Sequence, residues 1–312
     1  MVTDIEFAKL SGSGNDFICI DNRDGIYDAL LANEPARVHF AKTLCRRGVS
    51  VGADGLIFAG DPEVRQFADV AATFVEADGS VAELCGNGTA CFTKWILDRG
   101  FCKGPEVKIL TEAGVIRGSR GQGEYIKACI PFPEQRLRDQ ELFVAGSRWT
   151  YDFAITGVPH VVTYVKDLEA IDVNKLGRAW RHHEHFQPRG VNANFVELLG
   201  EGHIALRTFE FGVEAETFAC GTGSATAAYF ATRRFNWPQA YSTGEKPVRV
   251  TARSGDVLNI WITAEAGTLE VTDFCLETVV RSVYSARLDP QTREKALEAV
   301  DTARAELEGS AG

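Results

Sequence analysis

The chain has 312 residues, of which 45% are hydrophobic and 24% charged, and its formal net charge is −10 at pH 7. These values are typical of a globular protein with room for two domains, and they exclude a disordered or fibrous chain. The acidic balance argues against nucleic acid or an anionic membrane as a partner. Because no apolar run approaches membrane-spanning length and the N-terminus lacks the regions of a signal peptide, we expect a cytoplasmic protein.

Apolar segments separated by glycine turns dominate the first third of the chain. They predict β-strands within residues 5–21, 52–60 and 70–80. A helix is predicted over 35–47, where apolar side chains share one face. Residues 106–132, which follow a second predicted helix, again alternate as strands joined by glycine turns.

The segment PFPEQ at 131–135 interrupts this pattern, and we place the first domain boundary there. Beyond it the theme repeats, because strand-like segments again surround one long helix, predicted over 223–235. The two halves therefore show a weak internal duplication, in pattern more than in letters.

The last segment predicts a surface helix over 290–308. Asp289 can cap this helix, and Pro290 suits its first position. The helix either covers the surface of a homodimer or packs on its own domain. Its narrow apolar stripe comprises Leu297, Val300 and Leu307.

The chain contains eight cysteines. Because it is too long to need disulfide staples and shows no export signal, we expect six of them to be small buried hydrophobic side chains. No CxxC pair and no Cys/His spacing typical of zinc occurs, and we interpret HHEH at 182–185 as a solvated helix end rather than a metal site. The six cysteines are Cys19, Cys45, Cys91, Cys102, Cys129 and Cys275.

The other two, Cys85 and Cys220, each precede a glycine-flanked helix start, in CGNG and CGTG. A helix start binds anions because it presents free N–H groups and the positive end of the helix dipole. Glycines let a ligand approach the backbone, and a cysteine at this point has its thiolate form favoured. Such an element fits a nucleophile, a redox thiol or a phosphate loop, although neither motif has the full Walker or dinucleotide pattern.

Two such elements, one in each half, predict thiols that face each other across an interdomain cleft. A carboxylate held between two helix N-termini would then have one thiol on each face of its α-carbon. One thiolate removes the α-proton while the opposite thiol delivers a proton, which inverts the stereocentre without a cofactor. The alternative interpretation is two unrelated buried cysteines beside tight glycine turns.

Six motifs follow one another along roughly residues 7–225: FAKLSGSGNDFICID (7–21), GVSVGADGL (48–56), ADGSVAELCGNG (77–88), TGVPHVV (156–162), GVNANFVEL (190–198) and RTFEFGVEAETFACGTGSA (207–225). In content and order they resemble the signatures of the diaminopimelate epimerase family. The resemblance implies an α/β (α+β) fold of two pseudo-symmetric domains, each a mostly antiparallel β-sheet wrapped around a central helix. We expect residues 1–131, with a returning strand and helix at about 274–312, to form one domain and residues 132–273 the other.

The resemblance also implies roles for individual residues. Cys85 and Cys220 would be the acid–base pair of an enzyme that needs neither pyridoxal phosphate nor a metal. His160 and Glu210 would position the reacting amino group or activate the thiols. The residues implied to bind the amino acid substrate are Asn15 at the reacting centre, Asn192 at the far end of the pocket, and the backbone donors of Gly86, Asn87, Gly221 and Thr222 at the α-carboxylate.

Four positions depart from the family pattern. Glu76 and Val158 stand where the family has asparagines, and Phe211 and Ala90 stand where it has arginines. In the family the positions of Glu76, Val158 and Phe211 grip the distal end of diaminopimelate, whose carboxylate pairs with the arginine. We therefore hypothesise a racemase or epimerase for a different amino acid, with Glu76 suited to a cationic side chain and Phe211 to an apolar or aromatic one, as in histidine. A solvated acid and a core aromatic are the alternative interpretations of the last two residues.

Three other functions remain open. A diaminopimelate epimerase is possible if another residue, such as Arg189, supplies the missing arginine. A non-catalytic amino-acid-binding protein would need neither thiol. A cysteine hydrolase with Cys220 as nucleophile and His160 as base would leave Cys85 unexplained.

Overall fold

A computed structural model describes residues 4–62, 66–130, 132, 134–264 and 271–310. The chain divides into two compact units, Met1–Arg120 with Val280–Gly312 and Gly121–Val279. Pro131 and Pro133, in the segment where the domain boundary is predicted, lie outside the described residues. The predicted division after residues 131 and 273 stays a prediction.

The first 120 residues contain seven described strands and three described helices. The strands are β1 (Glu6–Gly12), β2 (Asn15–Asn22), β3 (Gly55–Gly60), β4 (Val70–Glu76), β5 (Val81–Ala82), β6 (Glu106–Thr111) and β7 (Gly114–Arg120). The helices are α1 (Asp28–Ala32), α2 (Glu34–Cys45) and α3 (Gly86–Asp98).

The remainder of the chain contains ten described strands and three described α-helices. The strands are β8 (Tyr125–Cys129), β9 (Glu134–Val144), β10 (Ser147–Thr156), β11 (Val158–Val165), β12 (Asn192–Gly200), β13 (His203–Glu210), β14 (Ala215–Glu216), β15 (Val248–Thr251), β16 (Val257–Ala264) and β17 (Val271–Arg287). The helices are α4 (Val173–Arg181), α5 (Gly221–Arg234) and α6 (Pro290–Ser310).

The first unit is a mixed sheet around α3. β1 pairs antiparallel with β2 and with the last part of β17, β2 pairs parallel with β3, and β3 pairs antiparallel with β4. β4 then pairs parallel with β6, which pairs antiparallel with β7. α3 packs against β1, β2, β6 and β7. A second apolar layer, which includes Phe40, Phe58 and Val300, joins α1, α2 and α6 to the same unit.

The second unit repeats this sequence of pairings. β10 is antiparallel to β11, β11 parallel to β12, β12 antiparallel to β13, β13 parallel to β15 and β15 antiparallel to β16. α5 packs against all six of these strands. The short strands β5 and β14 pair with β4 and β13 at equivalent points, immediately before the cysteine-led helix. The predicted fold class, a mostly antiparallel sheet around one central helix in each half, is confirmed.

The C-terminal helix begins as the sequence predicts. The Asp289 carboxylate accepts hydrogen bonds from the backbone N–H groups of Gln291 and Thr292, so it caps α6. The predicted apolar stripe is partly wrong, because Leu307 is 58% exposed. The residues that α6 buries are mostly alanines, which allow a close approach of the helix: Ala296, Ala299, Val300 and Ala303.

Three cysteines differ from their predicted state, one of which, Cys102, is half-buried rather than buried. Cys129 and Cys275 face each other on the adjacent antiparallel strands β8 and β17 and form a disulfide, whereas both were expected to be free. The histidine-rich segment follows the end of α4 at Arg181 and enters a 3-10 helix at Glu184–Phe186. Among the described residues, no three His, Cys, Asp or Glu side chains are grouped to hold a metal. The described helices include none with the length and apolar character to cross a membrane.

Candidate active site

Cys85 is the N-cap of α3. Its backbone is extended and its Sγ lies 3.3 Å from the backbone nitrogen of Gly88, from which it accepts a hydrogen bond. Its carbonyl oxygen accepts from the backbone N–H and the hydroxyl of Thr89. A Cβ at Gly88 would lie 3.3 Å from this sulfur and 3.2 Å from the ring of Phe74. The glycine therefore leaves room for the thiol between the helix start and β4.

Cys220 caps α5 in the same manner. Its Sγ accepts from the backbone N–H of Gly223 at 3.3 Å, and the hydroxyl of Thr222 lies 3.6 Å from the same sulfur. A Cβ at Gly223 would lie 2.3 Å from Oδ1 of Asn194, so this glycine is required by close packing. Cys220 is buried and Cys85 is half-buried. Both thiols are thus fixed by the backbone of the helix that each begins.

His160 lies on β11, fully buried, beside this second thiol. Its Nε2 is 3.1 Å from the hydroxyl oxygen of Thr222, and its Nδ1 is 3.2 Å from the amide nitrogen of Asn194. The imidazole is connected to Cys220 through the Thr222 hydroxyl. Burial lowers the pKa of His160 to about 3, so the ring is neutral near pH 7.

The amide of Asn194 determines which ring nitrogen carries the proton. Its nitrogen donates to the carbonyl oxygen of Val161 at 2.8 Å, and its oxygen accepts from the hydroxyl of Thr208 at 3.0 Å, so the amide has one orientation. The same amide nitrogen donates to Nδ1 of His160. The proton of the neutral ring is therefore on Nε2, which donates to Thr222, and the Thr222 hydroxyl is left to donate towards Cys220.

Asn192 and Glu210 border the same strands. Asn192 is the register partner of His160 in the parallel pair of β11 and β12, and its Oδ1 accepts from the backbone N–H of Phe211 at 2.8 Å. Glu210, the last residue of β13, accepts a hydrogen bond from the hydroxyl of Thr217. Val158, the first residue of β11, is half-buried. Several predicted site residues of this unit therefore lie at one end of its sheet.

Phe211 does not belong to the core, since it is 37% exposed. The guanidinium carbon of Arg181 lies 4.8 Å from the centre of its ring. Arg181 also pairs with Glu214 at 2.9 Å and donates to the carbonyl oxygen of Arg189 at 3.1 Å. The position where the family has an arginine thus carries an aromatic ring that is itself covered by an arginine.

Arg189 occupies the same corner. Its guanidinium donates to the carbonyl oxygen of Gly157 at 3.2 Å, immediately before Val158, and the side chain is exposed. It forms no ion pair with any residue that the structure describes. Its charge is therefore available to a ligand, whereas that of Arg181 is neutralised by Glu214.

In the first unit, Asn15 is held between two polar side chains. Its Oδ1 accepts from Nδ2 of the buried Asn87 at 2.8 Å, and its own amide nitrogen lies 3.4 Å from a carboxylate oxygen of Asp54. Burial raises the pKa of Asp54. For the neighbouring Asp16, burial is outweighed by hydrogen bonds from Arg47 and Lys9, which hold its pKa below the ordinary value. Asn15 is thereby oriented by Asn87 and Asp54.

Glu76 ends β4 and is half-buried, and the backbone turns directly after it through Gly79, whose N–H donates to the Glu76 carbonyl. It is neither a fully solvated acid nor a core residue. Ala90, at the other departure from the family pattern, is completely buried in α3.

Comparison with solved structures gives the class of fold. The chain resembles a hydroxyproline epimerase from Agrobacterium vitis with bound trans-4-hydroxy-L-proline, at a TM-score of 0.69 and 13% identity, over 93% of this chain and 94% of that chain. It also resembles a PhzF-family phenazine biosynthesis protein of Bacillus anthracis, at a TM-score of 0.67 and 18% identity, over 92% and 99% of the two chains. The fold is therefore the duplicated α/β fold that these proteins share.

Sequence comparison gives the family. A family model described as diaminopimelate epimerase matches residues 7–120 and 153–272. The diaminopimelate epimerase of Aquifex aeolicus is 39% identical over 295 residues, which are 93% of this chain and 100% of that protein. That of Hydrogenobaculum sp. is 36% identical over 261 residues, which are 81% and 90% of the two chains. The chain belongs to the diaminopimelate epimerase family and is an isomerase.

Sequence reasoning missed Asn194, Asp54 and Arg181. The first has a signal in the sequence, since residues 192 and 194 of one strand lie on the same face and Asn192 is a predicted site residue. Asp54 and Arg181 reach Asn15 and Phe211 from distant parts of the chain. Asp54 lies in the motif GVSVGADGL at 48–56, whereas no local pattern marks Arg181.

We expect the imidazole of His160 to stay neutral, with its proton on Nε2, between about pH 5 and about pH 8. Long-range ¹H–¹⁵N NMR spectra, assigned with His160→Gln, measure this directly. The unfolded chain binds this proton below pH 6.5, whereas the folded chain binds it only near pH 3. His160 therefore makes the folded state less stable as the pH falls from 6.5 towards 3. An imidazolium at about pH 6, or a proton on Nδ1, would contradict the assignment.

Proposed function

We propose that this protein epimerises diaminopimelate by a two-thiol mechanism in which Cys85 and Cys220 act on opposite faces of one α-carbon. The observation that carries the proposal is that each unit presents a cysteine as the cap of its central helix, beside a glycine at which a side chain would crowd the sulfur. The relatives match this chain over most of their length and are named diaminopimelate epimerases, which supports this substrate.

The chemistry needs only groups of this chain. The free N–H groups and dipoles of α3 and α5 bind the α-carboxylate and stabilise the charge that reaches it when the α-proton leaves. One cysteine acts as thiolate and takes the α-proton, becoming a thiol. The other acts as thiol and gives its proton to the opposite face, becoming a thiolate. The proton count is unchanged, and the two thiols have exchanged roles.

His160 acts in this scheme as a positioning residue for Cys220. With its pKa lowered to about 3 by burial, it is a poor base near neutral pH, and both of its ring nitrogens already have partners. Its Nε2–H instead holds the oxygen of Thr222, so that the Thr222 hydroxyl donates to Sγ and favours the thiolate form. The same geometry argues against a cysteine hydrolase, whose base would have to be His160.

Arg189 is the residue that we infer to pair with the distal carboxylate of diaminopimelate. It lies in the corner defined by Phe211, Arg181 and Gly157, and it carries a charge that no described residue neutralises. Arginine binds carboxylates in a bidentate manner, so it restores the interaction that the substitution at Phe211 removes.

A second candidate is an amino acid with a basic or aromatic side chain, such as histidine. It is favoured by the half-buried carboxylate of Glu76 and by the exposed ring of Phe211. The relatives support it less well, since those compared act by name on diaminopimelate. The cytoplasmic location, the absence of nucleic-acid and membrane partners, and a homodimer stay predictions.

The function is tested by α-proton exchange in deuterated water, followed by NMR under reducing conditions. We expect exchange with LL-diaminopimelate and not with histidine, arginine, lysine or ornithine. Cys85→Ala and Cys220→Ala should each lower the rate of inversion by at least about a thousandfold, because each removes one of two required proton carriers. Cys102→Ala, the control, should leave the rate unchanged. Substantial inversion by either active-site variant would refute the two-thiol mechanism.

Replacement of Thr222 by valine tests the connection to His160. We expect kcat to fall about tenfold to a hundredfold, since a hydrogen bond to a charged group contributes about 1.5–3 kcal/mol, while KM changes little. Thr222→Ser keeps the hydroxyl and should restore the rate. If the serine variant is as slow as the valine variant, the methyl group and not the hydroxyl is what matters.

Replacement of Arg189 by glutamine tests the distal site. We expect KM for diaminopimelate to rise about tenfold or more, with a smaller change in kcat, because a charged pair with the substrate is lost. Arg148→Gln removes an exposed arginine of the same unit and serves as control. Exchange with a basic amino acid that is insensitive to Arg189→Gln would instead favour the second candidate.

A further inference from the structure

The first unit contains a second concave site, away from the cysteine of α3. α2, the loop that follows it and the start of α6 enclose a cavity of about 730 Å³. We call it the α2–α6 cavity. Four of the side chains that line it are basic: His39, Lys42, Arg46 and Lys295.

The charge of this cavity is opposite to that of the protein. No aspartate or glutamate lines it, although the chain as a whole has a formal net charge of −10. Within the part of the chain that the structure describes, none of the four basic side chains forms an ion pair or a hydrogen bond. A concave site lined by charge of one sign focuses the electrostatic field, so unpaired positive charge here favours an anionic ligand.

A polar group and apolar walls complete the lining. The hydroxyl oxygen of Ser50 is buried and has no hydrogen-bond partner among the described residues. Buried polar atoms nearly always have a partner, so this hydroxyl also points to a ligand or an ordered water. The walls include the apolar side chains of Pro35, Val38 and Val49.

The spacing of the basic side chains indicates the kind of anion. His39 and Lys42 lie one turn apart on α2 and Arg46 is the C-cap residue that ends it, so the first and last are separated by about 10 Å along the helix axis. An anion with two charged groups can contact more of this row at once than one small ion can. An amino acid substrate also fits poorly, because its ammonium group would find no carboxylate in the lining.

We propose that the α2–α6 cavity binds a small organic anion that carries at least two phosphate or carboxylate groups and an apolar part. Lys42 binds the anionic groups from α2, Arg46 from the residue directly after it, and Lys295 from α6. The apolar body contacts Val38 and Val49. The site is independent of the proposed reaction, and neither Lys42 nor Arg46 belongs to the catalytic residues.

The experiment is isothermal titration calorimetry at low ionic strength with inorganic phosphate, phenyl phosphate, pyrophosphate and citrate. We expect saturable binding of pyrophosphate or citrate, tighter than that of inorganic phosphate, and tighter binding of phenyl phosphate than of phosphate because of the apolar walls. Binding should weaken as salt is added. The stronger of pyrophosphate and citrate identifies the class of anion.

The matched variants locate the site. The double substitution Lys42→Glu with Arg46→Glu should weaken binding by about tenfold or more. The control, Lys103→Glu with Lys108→Glu, makes the same change of net charge on exposed residues of the same unit that do not line the cavity. Equal weakening by both pairs, or no binding of any of the four anions, would overturn the proposal. Unchanged epimerase activity of the Lys42/Arg46 variant without added anion would show that the variant is folded.

Discussion

The hydrogen bond from the N–H of a glycine, the third residue of its helix, to a cysteine sulfur is the interaction on which both halves of the site depend. An N-cap usually accepts through a serine, threonine, aspartate or asparagine oxygen. Here the acceptor is Sγ of Cys85 or Cys220, and the donor is Gly88 or Gly223. Because the sulfur itself caps the helix, its place relative to the free N–H groups is fixed by backbone geometry. A thiol and a helix end with free N–H groups are thereby built as one element.

The burial of His160 decides what that residue can do. A histidine with access to water could share protons with a thiol near neutral pH, but a fully buried imidazole resists the charge. His160 instead orients a neighbouring group, since Asn194 fixes the tautomer of the ring and the tautomer fixes the direction of the Thr222 hydroxyl. The amide of Asn194 thus orients the neutral ring of His160, and the ring acts through a hydroxyl on the sulfur of Cys220. Each step is a hydrogen bond with a defined donor.

The parts of this protein that were readable from its sequence are those set by local pattern. Cysteine before two glycines and an apolar periodic segment marks a helix start, and Asp289 before Pro290 marks another. The parallel pairing of β11 with β12 brings Asn194 to His160. It joins residues 32 positions apart in the chain, so no local pattern in the sequence predicts it. The disulfide of Cys129 and Cys275 depends in the same way on the register of β8 against β17. Leu307 is exposed although its spacing predicts burial, because helical spacing shows which side chains share a face but not where the neighbouring elements end.

The distal positions show why a substitution in a motif does not by itself reveal a change of substrate. Phe211 stands where an arginine is expected, yet Arg181 lies over its ring and also donates to the carbonyl oxygen of Arg189. A guanidinium on a long, flexible side chain can reach one point in space from several backbone positions, whereas a thiol or an amide on a short side chain cannot. Functions carried by long charged side chains can therefore move along the sequence. The side chains of Cys85, Cys220 and Asn192 are fixed more closely, because each is short and accepts a hydrogen bond from a backbone N–H group.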